Sequence, residues 1–116
     1  MKRIVLGCAL LLATGSLASA EESKKAKPEM KTFLDSHKGM PKGLPPEATA
    51  AEHKKDVEIA KKQFPHVHFT QYWYDSTSGS LTCECQAPSA DDCVAVHKAA
   101  HDGHGPDEIH EVVRGK

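Results

Sequence analysis

The chain has 116 residues, 15 basic and 16 acidic side chains and eight histidines, for a formal charge of −1 with histidine neutral. That length allows one small domain with a modest core, and the balance of charge argues against nucleic acid as a partner. Histidine is the enriched residue type, which points to metal binding or pH sensing.

Lys2 and Arg3 precede an apolar run, Ile4 to Ala13, and small residues ending in Ala18-Ser19-Ala20 follow. Together they form a secretory signal peptide over residues 1–20, so a mature chain starting at Glu21 is expected in the periplasm or medium. The run is too short to span a bilayer comfortably, and no membrane association is expected after cleavage. The leader holds two of the basic residues and none of the acidic ones, so 13 bases face 16 acids in the mature chain. Three cysteines remain there, Cys83, Cys85 and Cys93. Export permits disulfides, and the odd count leaves at least one thiol free, ligated or paired between chains.

Residues 21–30 are charged, contain Pro28 and read as a spacer before a domain over 31–116. Thr32 to His37 alternates as a strand, with Phe33, Asp35 and His37 on one side. Lys38 to Pro46, with two glycines and three prolines, is a loop. From Pro46 to Phe64 the positions Ala50, His53, Val57, Ala60 and Phe64 recur at helical spacing, opened by proline and Glu47. His53 interrupts that apolar stripe; a half-buried histidine bonded to a carbonyl or carboxylate is the commoner case, and a ligand at a site between elements is the sharper one.

His66 to Asp75 is rich in aromatic and β-branched residues and reads as a strand, with Ser76 to Gly79 as the hairpin turn. Ser80 to Gln86 returns with Leu81, Cys83 and Cys85 on one face. Cys83 and Cys85 are about 6.6 Å apart by strand rise, which disfavours a bond between them, so Cys85 with Cys93 is the expected pair if one forms. Cys83 reads either as a small buried hydrophobe or as a ligand.

Ser89 to Glu108 contains a second helix, capped by Ser89 with Asp92 three residues on and closed by Gly103, Gly105 and Pro106. His97 and His101 are four apart, which stacks two imidazoles one turn apart on one helical face. Such pairs are more often solvated surface than ligands. Glu108 to Val113 alternates as a last strand.

Strand, helix, strand, strand, helix, strand in under a hundred residues is the pattern of an α+β, ferredoxin-like βαββαβ sandwich with a four-stranded antiparallel sheet. Its bare sheet face predicts a homodimer, a dimeric α/β barrel with the sheets facing each other. Copper, zinc or nickel suits three imidazoles and a thiolate better than calcium or magnesium. His53, His97, His101 and Cys83 are the candidate ligands of one such ion, with His104 or His110 at a weaker peripheral site.

Several runs are specific together: Ala50-Ala51-Glu52-His53-Lys54-Lys55-Asp56, Gln71 to Asp75, Cys83 to Ala90, Val96 to His101, and Asp107 to Val112. They resemble a small bacterial family once carried as a domain of unknown function and later described as nickel-binding or nickel-responsive, over about residues 31–113. The sequence departs from that family's pattern at Gln86, where Glu is usual, and in Asp102-Gly103-His104-Gly105, where a short Gly-Leu is common. The resemblance implies a dimeric ferredoxin-like barrel, nickel as the ligand and no established catalysis. The expected function is therefore an exported, nickel-type metal-binding protein for sequestration, delivery or sensing. The alternatives are a dimeric ferredoxin-like enzyme of monooxygenase or isomerase type using the sheet cavity, and a protein-interaction module.

Overall fold

The computed structural model describes residues 28–116, so the leader and most of the spacer lie outside the described residues. The elements are β1 (Lys31–His37), α1 (Pro46–Gln63), β2 (His68–Asp75), β3 (Ser80–Ala87), α2 (Ala90–Ala100) and β4 (Glu108–Val112). They form one antiparallel sheet in the order β2-β3-β1-β4, with both helices on one face. This is the ferredoxin-like α+β architecture. Among the described residues, no helix is long and apolar enough to cross a membrane.

Alternation along the strands decides what each face carries. Phe33 pairs with Cys85, Asp35 with Cys83 and His37 with Leu81 between β1 and β3, and all six point toward the helices. Phe33, Phe69, Leu81, Cys83, Cys85 and Ala87 from the sheet, Ala60 from α1, and Cys93 and Val96 from α2 form the core. The other face holds Leu34, Trp73 and Val112 among polar Thr32, Gln71, Thr82 and Glu84. Glu84 is buried there, accepting hydrogen bonds from Thr70 Oγ1 at 2.6 Å and Arg114 Nη2 at 3.0 Å. Trp73 is 51% exposed on it.

Strand β2 begins at His68, with His66 in the preceding turn. Its register slips at Thr70, between Phe69 and Gln71, which leaves one residue unpaired. The β2–β3 hairpin is tied by the Asp75 carboxylate, which accepts from the Thr77 amide at 2.9 Å. Gly79 in that hairpin has a φ of 75°, and a Cβ there would run into the Met40 carbonyl oxygen, so glycine lets the β1–α1 loop lie on the turn.

Helix α1 starts with Pro46, whose missing N–H costs nothing at the first turn, and carries Glu47 there and Lys61 and Lys62 in its last turn. Its buried face is Thr49, Asp56 and Ala60, while Ala50 is exposed. The stripe is thus rotated from the one that apolar residues alone predict. Asp56 lies on that buried face, its carboxylate 3.1 Å from His97 of α2 and 2.9 Å from His101, the C-cap of that helix.

Helix α2 opens as its cap predicts: Ser89 accepts from the Asp92 amide and donates to the Asp92 carboxylate at 2.7 Å. A disulfide joins Cys85 on β3 to Cys93 on α2, and among the described residues Cys83 is free and buried. The staple fixes α2 one turn before His97.

Candidate metal centre

Among the described residues, His97 is the largest fully buried side chain. It lies between two carboxylates, with Nε2 2.9 Å from Asp35 Oδ2 and Nδ1 3.1 Å from Asp56 Oδ1. Asp35 comes from the centre of β1, Asp56 from the third turn of α1 and His97 from the last turn of α2, so three elements meet at one ring. Phe69 closes one side of it edge-on, with ring centroids 5.0 Å apart.

His101 is not in the helix. It is the C-cap of α2, at φ −128° and ψ 48°, yet its ring still stacks over His97 at a centroid distance of 6.1 Å. Its Nε2 is 2.9 Å from Asp56 Oδ1, and its Nδ1 is 3.6 Å from Glu52. His37, at the end of β1, places Nε2 3.5 Å from Asp35 and meets His97 edge-on at 4.6 Å. Two sets of ligand atoms therefore converge, Asp35-His37-His97 and Asp56-His97-His101, the atoms of each set lying within 4.8 Å of one another.

The electrostatics follow from burial and pairing. Burial alone would push His97 toward the neutral form, but its contacts with Asp35 and Asp56 outweigh this and raise its pKa to about 9. Asp35 responds in the opposite sense: burial pushes its carboxyl up, and His37 and His97 more than offset this, holding it below the usual carboxylate range. The close approaches of His97 are nonetheless off the hydrogen-bonding axis. Both its ring nitrogens and both Asp35 oxygens are buried without a directed hydrogen bond. A cation in the cleft would supply the partner that the Asp35 oxygens lack, and would supply one to a His97 nitrogen once the metal has displaced its proton. The residues fit a transition-metal ion on that ground and on their donor chemistry, imidazole with carboxylate.

The sequence candidates are distributed unevenly around this cluster. His97 and His101 are in it. His53, on α1, packs its ring on Tyr72 at 4.7 Å, with Nδ1 buried and unpartnered. Burial lowers its pKa against the pull of Asp56 and Asp35. Cys83 is buried next to the carboxylates, and burial, reinforced by the charges of Asp35 and Asp56, keeps its thiol protonated far above the usual range. His104 lines a cleft of about 160 Å³ with His37, Met40, Glu52, Asp56, Leu81 and His101. His110 pairs with Leu34 on the opposite sheet face and is 72% exposed.

Asp35, His37 and Glu52 were not among the sequence candidates, and Asp56 figured only as part of a motif. The available signal was Asp35 and His37 on the same strand face as Phe33, polar groups at inward positions.

Fold and site together define a ferredoxin-like protein with a buried His/Asp cluster of metal-ligating type. More particularly, the chain belongs to the family described as nickel responsive protein SCO4226-like, whose model matches residues 33–112. Among solved structures, the crystal structure of SCO4226 from Streptomyces coelicolor A3(2) is similar, with a TM-score of 0.63 and 38% identity. The match covers 73% of this chain and 99% of that one. No curated protein matches.

Proposed function

We propose that the protein binds a transition-metal ion of nickel type in the cleft between β1, α1 and α2, and serves outside the cytoplasm in metal sequestration, delivery or sensing. The observation that carries this reading is the convergence of Asp56, His97 and His101, whose ligand atoms lie within 4.8 Å of one another. Two imidazoles and a carboxylate suit nickel, copper or zinc, and membership of a nickel-responsive family favours nickel among them. In the same reading His53 and Cys83 flank the cluster, His104 stands at the mouth of the cleft, and His110 belongs to a weaker surface site.

Export is supported by the leader-like residues 1–20 and by the buried Cys85–Cys93 disulfide, a bond that persists in oxidising compartments. A second copy covering the Leu34, Trp73 and Val112 face completes the proposal.

Calorimetry with Ni²⁺ on tag-free protein tests the site. His97→Ala removes the tighter binding event, while His66→Ala, whose ring contacts Asp92 at the far end of α2, leaves it nearly unchanged. Equal, small losses from both would mean scattered surface histidines and overturn the reading.

A further inference from the structure

The two ligand sets share one residue, His97, and they approach it from opposite sides. Nε2 faces Asp35 Oδ2, with His37 3.5 Å from the other oxygen of that carboxylate, and Nδ1 faces Asp56 Oδ1, which His101 also approaches at 2.9 Å. The two nitrogens of an imidazole are chemically distinct and point away from each other, so no single ion can take both.

We propose that the cleft is a two-ion site in which the imidazole of His97 bridges one transition-metal ion held by Asp35 and His37 and a second held by Asp56 and His101. This rests on the metal-binding reading above and adds stoichiometry and connectivity to it. Each ion has one carboxylate and one terminal imidazole of its own. Donors of this kind suit borderline ions such as Ni²⁺ and Cu²⁺.

The burial pattern supports a bridge over two unrelated sites. His97 and Asp35 are wholly buried, and neither ring nitrogen of His97 nor either oxygen of Asp35 has a directed hydrogen bond. An imidazole serving one ion ordinarily gives its other nitrogen to a carboxylate or carbonyl along a hydrogen-bond axis, which orients the ring. Here neither nitrogen is committed in that way. The terminal histidines are the accessible ones, His37 with 21% and His101 with 22% of their side chains exposed, and both line the same cleft. For both nitrogens to coordinate, His97 must lose every ring proton, and these leave to solvent through that cleft.

The test combines metal content with magnetic coupling. Metal-stripped protein is loaded with Ni²⁺, freed of excess ion, and its metal counted per chain by native mass spectrometry. Two ions are expected in the wild type and one in either His37→Ala or His101→Ala, variants at part-exposed positions whose folding is checked by circular dichroism. Titration with Cu²⁺ is then followed by electron paramagnetic resonance. The first equivalent gives a full signal, and the second diminishes it, because copper ions joined through one imidazolate couple antiferromagnetically. One retained ion in the wild type, lost in both variants, would overturn the two-ion site and leave the metal-binding reading standing. Two copper ions with additive, undiminished signals would overturn the bridge. No retained ion would overturn both.

Discussion

The placement of His97 makes the stability of the metal-free protein depend on pH in a particular window. An unfolded chain titrates histidine near 6.5, whereas the folded chain holds His97 protonated up to about 9. At about 1.4 kcal/mol per tenfold change in proton affinity, the charged ring contributes about 3 kcal/mol to the native state. That contribution is complete below pH 6.5, declines as pH rises from 6.5 toward 9, and is gone above 9. Asp35 has the opposite sign: its lowered pKa stabilises the fold above about pH 4 and the benefit is lost as pH falls further. The metal-free protein should therefore be most stable between about pH 4 and 6.5. Against a typical domain stability of about 5–15 kcal/mol, a loss of 3 is easily measured. Urea unfolding at intervals from pH 5 to 9.5, in the presence of a chelator, follows it. His97→Gln should flatten the curve between 6.5 and 9, and Asp56→Asn should shift the decline to lower pH. A wild-type midpoint that does not move between pH 6.5 and 9.5, or that moves equally in His97→Gln, would refute the reasoning.

The Cys85–Cys93 bond closes a short loop, with a sequence separation of 8, for which chain entropy gives about 2.5 kcal/mol. The double variant Cys85→Ala/Cys93→Ala should lose roughly 10–20 °C in melting temperature by calorimetry, a range set by the size of the domain; an unchanged Tm would show that the staple contributes nothing. The open sheet face predicts association: light scattering at micromolar concentration should report a dimer for the wild type and a monomer for Trp73→Glu, which puts a charge on the exposed indole position. A monomeric wild type would remove the dimer from the proposal.

All six elements were legible in the sequence because each rests on local rules. Hydrophobic alternation, a proline opening a helix, Ser89 with Asp92 and a glycine-closed hairpin act within a few residues of one another. The preference for Cys85–Cys93 over Cys83–Cys85 was equally local, since it depends on strand rise and on a helix that returns directly over the strand end. His97 and His101 stood out by spacing, though the spacing argument placed both inside the helix and the structure makes His101 its cap. Ala50, given to the inward stripe of the first helix on its apolar character, is exposed, and Thr49 beside it is buried instead.

The sequence by itself determined which segments form strands and helices and in what order, because those outcomes follow from side-chain period and capping over short range. Only the tertiary structure decided that Asp35 and Asp56 flank His97. Asp35 sits 21 residues before Asp56 and 62 before His97. What brings the three together is the pairing of β1 with β3 at the centre of the sheet, beneath both helices. A buried imidazole between two carboxylates is stable only when all three arrive together, so no segment taken alone carries its signature.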